Sequence, residues 1–290
     1  ATDVDPKNEN PELTTSEPYV MGSHATSSGA WCSGPEDLSP PEYFWGYNRM
    51  MTVSGLFGAG DAVGGTPHAF SSGSFTEGRL AAKAACQYIN DGKADGIVVS
   101  DKQIIERREQ IFAPLERYKI YRNEIVAGTV NPHYINARQG LDRLQKLMDE
   151  YAGGVTVNYM TNEKLLNIGL KKLKIMEEDL DKLAAKDLHD LLRAWELRHR
   201  HRTSECVVQH TLFRKETRWP GYYYRGDAMK LDDENWHVLT VSHRDRKTGH
   251  YTMTKAPCYH LVSADAKGAE IPIPKSGQVE GPEEVLEPAE

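Results

Sequence analysis

No stretch of this chain comes near the roughly 18–20 consecutive apolar residues that a membrane-spanning helix requires, so a helical span is excluded. Positive charge is not in excess either. The 290 residues carry 42 Asp and Glu against 35 Lys and Arg, a net charge of −7, and the basic stripe that would track a nucleic-acid backbone is not suggested. Cysteine is scarce and scattered. Cys32, Cys86, Cys206 and Cys258 form no Cys-x-x-Cys pair, which excludes a local iron–sulfur or zinc ligand run and a dense disulfide framework. Separated thiols, with no secretory leader in the sequence, point to a reducing, cytoplasmic setting. There is no internal repeat. Hydrophobic residues at 39% and charged residues at 27% are polar for a globular chain but well above the disordered range. The length suits roughly one to three domains.

Residues 1–60 hold eight Asp and Glu against Lys7 and Arg49 and are rich in Pro, Gly and Ser. They read as loop, with short strands near 19–21 and 51–57. A helix is expected at about 76–89, where Ala81, Ala82, Ala84 and Ala85 predict close packing and Asp91-Gly92 a stop. Residues 101–217 read as helix throughout. Asp101 is the expected cap of a first helix carrying Ile104, Ile105 and Ile111, and a second runs over about 133–151. A third follows the cap candidate Thr161, with Leu166, Leu170, Leu173, Met176, Leu180 and Leu183 at helical spacing, and a fourth carries Leu188, Leu191, Leu192 and Trp195. Such stripes predict a bundle core, because an amphipathic helix needs a partner face. Tyr222-Tyr223-Tyr224 reads as a turn, and 236–242 with 250–254 predict a β-hairpin around Lys247-Thr248-Gly249. Residues 264–290 are acidic, contain Pro272, Pro274, Pro282 and Pro288, and read as an extended tail unless a partner holds them.

The sharpest chemical signal is Gly55-Leu56-Phe57-Gly58-Ala59-Gly60-Asp61-Ala62-Val63-Gly64-Gly65. An apolar segment runs into closely spaced glycines and then a single carboxylate. Gly58, Gly60 and Gly64 let a backbone approach a ligand closely, and Asp61 can accept hydrogen bonds from hydroxyls, such as those of a sugar alcohol chain. Some ten residues on, Ser72-Gly73-Ser74 opens the alanine-rich helix. The free N–H groups and positive dipole end there suit a ligand that gathers negative charge. By contrast, His199-Arg200-His201-Arg202 lacks the i, i+4 spacing that puts two histidines on one helix face, so no metal is expected.

This block resembles the second FAD-binding motif of the succinate dehydrogenase/fumarate reductase flavoproteins: strand, Gly-x-Gly-Glu/Asp, Gly-Gly, and a helix aimed at the flavin. The wording is closer to the adenylylsulfate (APS) reductase alpha-subunit branch of that family. The strings that carry this are Met21-Gly22-Ser23-His24, Ser33-Gly34-Pro35-Glu36-Asp37-Leu38, Trp45-Gly46-Tyr47-Asn48-Arg49-Met50, the run from Gly64 to Arg79, and Arg218-Trp219-Pro220-Gly221-Tyr222-Tyr223-Tyr224-Arg225-Gly226-Asp227. The family's first motif, a GxGxxG with its ribose-binding acid, has no counterpart here. The expectation is therefore the C-terminal half of a flavoprotein with an α+β fold. Residues 1–98 would be the C-terminal part of a two-motif FAD-binding domain, 99–217 a helical bundle domain, and 218–290 a small β-containing C-terminal extension.

The resemblance implies a two-electron enzyme that reduces adenylylsulfate to sulfite and AMP, and the reverse, through a flavin N5–sulfite adduct. FAD would be shared with the missing N-terminal half. A partner beta subunit would carry two [4Fe–4S] clusters, since four scattered cysteines cannot supply eight thiolates. His24 and His68 become the candidate catalytic groups, an imidazole being suited to proton balance beside anionic oxygens near neutral pH. Gly58, Gly60, Asp61, Gly64, Ser72, Gly73 and Ser74 become the cofactor-binding set. Arg214, Glu216, Arg218, Arg225 and Asp227 resemble the family's Arg-x-Glu-x-Arg…Arg-x-Asp run; Arg218 and Arg225 are weak substrate candidates, with a structural ion-pair network the other reading. Fumarate reductases carry a substrate-clamping arginine where this chain reads Ala69-Phe70-Ser71-Ser72, which disfavours dicarboxylate chemistry. The alternatives are such a dicarboxylate oxidoreductase, or a non-catalytic interaction module using the helices and the 219–224 segment.

Overall fold

The computed structural model describes residues 28–36, 39, 41–64, 71–96, 98–126, 130–218 and 223–257. The architecture is α+β, rich in helix with short strand pairs. The described residues fall into two compact units that divide between Asp95 and Gly96.

The first unit is mostly loop packed on one helix, α1 (Ser71–Asn90). The strand expected at 51–57 is absent; a single antiparallel bridge joins Met50 to Phe57. The reason is a tight turn inside the segment. Leu56 N–H donates to the Val53 carbonyl at 3.0 Å, and Gly55 adopts φ +79°, so the chain reverses where alternation suggested extension. Helix α1 begins at Ser71 rather than near 76, and takes Ser72, Gly73 and Ser74 into its first turn. Glu77, Ala84 and Tyr88 are its buried residues, at i, i+7 and i+11, one helical stripe. Of the four alanines only Ala84 is buried. Tyr88 anchors the other end of the stripe: its ring meets Tyr47 and Phe57 edge-on at 5.2 and 6.0 Å, and its hydroxyl lies 3.0 Å from Ser54 Oγ.

The second unit is a helical assembly: α2 (Asp101–Tyr121), α3 (Ala137–Tyr151), α4 (Glu163–Leu180) and α5 (Leu188–Phe213). Two-residue parallel pairs stitch it together, β1 (Ile135–Asn136) with β3 (Leu183–Ala184), and β2 (Met160–Thr161) with β4 (Tyr224–Arg225). Two caps fall one residue from those expected, at Ser100 instead of Asp101 and at Asn162 instead of Thr161. Ser100 and Asn136 form reciprocal capping boxes with Gln103 and Gln139, and Asn162 and Asp187 cap α4 and α5. These side-chain oxygens take the orphan N–H groups of each first turn. Thr161 is instead buried in β2, its hydroxyl donating to the Tyr151 carbonyl at 2.6 Å.

Most of the stripe expected for the third helix is the core: Leu166, Leu173, Met176 and Leu180 of α4, with Leu183, which lies beyond the helix in β3, pack with Leu144, Leu147, Ala194, Leu197 and Val208. The expectation fails for the α2 stripe and holds only in part for α5, where Leu191 is buried. Ile104, Ile105 and Ile111 of α2, and Leu188 and Leu192 of α5, are 43–67% exposed. The two helices meet elsewhere, at Trp195, whose indole N–H donates to the Ile111 carbonyl at 3.1 Å. The antiparallel hairpin of β5 (Val238–Arg244) and β6 (Tyr251–Pro257) turns at the expected Lys247-Thr248-Gly249, held by Asp245. Trp236 lies outside it, in the short helix α6 (Asp233–Trp236). The hairpin docks on α5 through His210, whose ring nitrogens lie 2.9 Å from the hydroxyls of Thr240 and Ser242.

Candidate functional site

The glycine-rich segment of the first unit is a fixed turn on the start of α1. Ala59 is extended (φ −152°, ψ 157°), and residues Gly60–Ala62 then form one turn of 3-10 helix. Gly60 sits at φ +64°, the left-handed region that costs a side-chain-bearing residue most. Its exit is anchored by Val63, 2% exposed, which pairs in parallel with Ala30. Ala30 N–H donates to the Ala62 carbonyl at 2.9 Å, and Gly64 N–H to the Ala30 carbonyl at 3.2 Å. Between these anchors Asp61 is exposed, a carboxylate on the crown of a rigid turn.

The turn lies against the first turn of α1. A Cβ built on Gly60 would stand 3.3 Å from Ser74 Oγ. The structure thus brings Gly60, and with it the adjoining Asp61, to Ser74, while Gly58 faces Met51 and Val63 and Gly64 faces Gly29. The first backbone N–H groups of an α-helix point out along its axis at its positive end; in α1 that end is at Ser71, Ser72 and Gly73. An exposed acceptor beside such a row of donors can take a molecule with hydroxyls at one end and an electron-rich edge at the other. The glycines divide by role. Gly60 supplies the left-handed bend; Gly64 allows backbone contact with Gly29.

Sequence reasoning missed the support beneath this turn. Glu77, 7% exposed, accepts the Gly60 N–H at 2.8 Å. Arg49 approaches its other oxygen at 3.7 Å and also reaches Cys32 Sγ at 3.7 Å. Burial pushes the Cys32 thiol up, against the opposing effect of Arg49. The one available signal was an acid six residues into a helix beside a glycine turn; its partner Arg49 lies too far along the chain for spacing to reveal.

The second unit holds the arginine-rich run, and there the side chains face one another. Glu216 is fully buried and accepts from Arg214 Nη1 and Arg218 Nε, both at 2.6 Å, and from the Asp232 N–H at 3.0 Å. Arg225, 1% exposed, donates to the Thr211, Leu212 and Arg214 carbonyls at the end of α5. Its other edge grips Asp227 in a two-pronged pair at 2.9 and 3.0 Å. That pairing holds the Asp227 carboxyl down to about 2. Arg225 therefore closes a helix terminus, and an anion would have to displace Asp227 to reach it. Arg218 also pairs with Asp233. His201 is buried with Nε2 2.8 Å from the Leu173 carbonyl, and no group of three metal-ligating side chains occurs among the described residues. His24 and His68 lie outside the described residues.

Residues 141–267 match the family described as fumarate reductase flavoprotein C-term. Along nearly all its length the chain is similar to an adenylylsulfate reductase alpha subunit. It is 38% identical over 277 residues to "Adenylylsulfate reductase subunit alpha" of Megalodesulfovibrio gigas, a match covering 92% of this chain and 41% of that protein. Two solved structures superpose with a TM-score of 0.78 at 51% identity, covering 84% of this chain and 39% of theirs. One is adenylylsulfate reductase from the hyperthermophilic Archaeoglobus fulgidus, and the other is an adenosine-5-phosphosulfate reductase in complex with sulfite as a covalent adduct. A quinol fumarate reductase of E. coli shares the fold alone, at 20% identity and a TM-score of 0.52, over 76% of this chain and 36% of its own. The chain spans about 40% of the length of the adenylylsulfate reductases it matches.

Proposed function

We propose that this chain serves an adenylylsulfate reductase, supplying one wall of the FAD site and part of the substrate pocket. The observation that carries this is identity of 38% sustained over 92% of the chain, with the Gly60–Asp61 turn lying on the first turn of α1.

The residues present fit the cofactor. The turn holds Gly60 at φ +64° with Ser74 Oγ 3.3 Å from where a Cβ would stand, α1 opens beside it, and Asp61 offers an exposed acceptor. In this reading Asp61 accepts from the ribitol hydroxyls of FAD. Ser72, Gly73 and Ser74 present N–H groups to the edge of the ring system where charge collects on reduction. When bound, FAD supplies reversible two-electron chemistry at sulfur. The protein's part is to orient that ring, exclude water, and balance protons and oxyanion charge through His24 and His68. Electrons would pass to and from an iron–sulfur beta subunit, with adenylylsulfate, AMP and sulfite as substrates and products. The cytoplasm is the expected setting, consistent with the free thiols of Cys32, Cys86 and Cys206; no described helix is long and apolar enough to cross a membrane.

The test is a titration of the complete FAD-loaded flavoprotein with sulfite, and separately with succinate. Sulfite-dependent bleaching of the flavin band with no response to succinate supports the reading. Reduction by succinate with no response to sulfite would replace it with dicarboxylate chemistry.

A further inference from the structure

We infer that Glu77 is a positioning residue for the flavin site: its buried carboxylate joins the Gly60–Asp61 turn to α1, so that the acceptor and the helix N–H groups reach one ligand together. The inference rests on the flavin reading of that turn.

Two residues of α1 touch Gly60, and they are one helical turn apart. Ser74 stands beside its α-carbon, and Glu77 accepts its N–H at 2.8 Å. Positions i and i+3 share a helix face, so this pair faces the turn and fixes its height above the first turn of α1. The hydrogen bond is demanding at this place. Gly60 is buried, and a buried amide must find an acceptor. A left-handed residue opening a 3-10 turn finds none in its own segment, so the acceptor comes from the helix.

Arg49 makes that carboxylate sustainable. A buried carboxylate is costly to hold without a counter-charge or hydrogen-bond donors. The guanidinium lies 3.7 Å from Glu77 Oε1, while the Arg49 backbone is itself tied into the turn. Arg49 N–H donates to the Ser33 carbonyl at 2.7 Å, and its own carbonyl accepts from Gly58 N–H at 3.0 Å. The result is a closed circuit: Arg49 backbone to Gly58, Gly58 through Ala59 to Gly60, Gly60 to Glu77, and Glu77 to the Arg49 side chain. Arg49 adopts φ +63°, an unusual backbone for a residue with a side chain, and this bend lets one residue serve both arms. None of these groups needs to touch the ligand. Their effect reaches it through Asp61, the next residue after Gly60.

The experiment uses the complete flavoprotein, with Glu77→Ala, Glu77→Gln, Asp61→Ala and the double variant Asp61→Ala/Glu77→Ala. The readouts are FAD dissociation constants, thermal unfolding of the flavin-free protein, and hydrogen exchange of the amides at 58–62. Glu77→Ala is expected to weaken FAD about 10–100-fold, the effect of losing one charged hydrogen-bond partner, and to speed exchange at 58–62 before flavin is added. Glu77→Gln keeps an acceptor oxygen and is expected to restore most of the affinity. Because both residues act through one turn, the double variant is expected to bind no worse than the weaker single, the signature of coupled positions. Additive losses in the double variant would overturn the inference, since Glu77 would then act independently of Asp61. So would faster exchange at 58–62 with unchanged FAD affinity. If Asp61→Ala itself leaves FAD binding intact, the flavin reading of the turn fails, and the inference with it. If only Glu77→Ala is silent, the flavin reading stands and the positioning role falls.

Discussion

Gly29 and Gly64 meet backbone to backbone: a Cβ built on Gly64 would lie 2.7 Å from the Gly29 nitrogen, and one on Gly29 would lie 2.6 Å from the Gly64 nitrogen. Two backbones this close leave no room for any side chain at either residue. The contact brings the Ala30–Val63 bridge into register and so fixes where the turn carrying Asp61 ends.

Gly64→Ala is therefore expected to destabilise the first unit, by about 1–3 kcal/mol as overpacked sites do. Thermal unfolding of the flavin-free protein checks this. An unchanged midpoint would mean that the two backbones move apart at no cost, and that the glycine serves the ligand instead.

Asp61→Ala in the complete flavoprotein is expected to weaken FAD retention by about one to two orders of magnitude. A hydrogen bond to a charged acceptor contributes roughly 1.5–3 kcal/mol. Asp61→Glu keeps the carboxylate and is expected to lose less. Flavin occupancy after dialysis measures both, and full retention in the alanine variant refutes the ribitol role.

Acid stability reports on the Arg225–Asp227 pair. The Arg225 guanidinium lowers the Asp227 carboxyl from its ordinary 3.8 to about 2. A carboxyl depressed in the folded state adds stability that is fully present above its unfolded value and is lost as pH falls toward the folded one. The second unit should thus lose stability between about pH 4 and pH 2, and Asp227→Asn should remove that part of the dependence while lowering stability at neutral pH. Parallel acid-unfolding curves for the two proteins would show that the pair contributes nothing.

His24→Ala and His68→Ala are expected to lower turnover per bound flavin while leaving FAD content intact. Acid–base or electrostatic help from one side chain typically gives about 10²–10⁴-fold. If His68 only shapes the loop before Ser71, its variant loses flavin instead of rate. Rates above about half of wild type for both would place the catalytic groups elsewhere.

The sequence was readable where one residue type has one use. The α4 core stripe and the hairpin turn follow from period 3.6 and turn chemistry. It was misleading where spacing alone had to choose a neighbour. Ile104, Ile105 and Leu192 have helical periodicity, yet no described element covers them, because periodicity marks an apolar face without naming its partner. Helix caps slipped by one residue, since Ser100 and Asp101, or Thr161 and Asn162, are chemically interchangeable until the first N–H groups are placed. Arg225 carried a charge pattern suited equally to a ligand or to a helix terminus; only its contacts with the α5 carbonyls and Asp227 separate the two. Glu77 was missed because its partners Gly60 and Arg49 lie 17 and 28 residues before it, beyond what spacing rules span.

The most direct test of the whole account is the steady-state rate of AMP-dependent sulfite oxidation, per mole of bound FAD, by the complete flavoprotein assembled with the proposed iron–sulfur partner. The account predicts turnover that requires both AMP and sulfite and shows no activity with succinate or fumarate. Dicarboxylate turnover without AMP-dependent sulfite oxidation would contradict it.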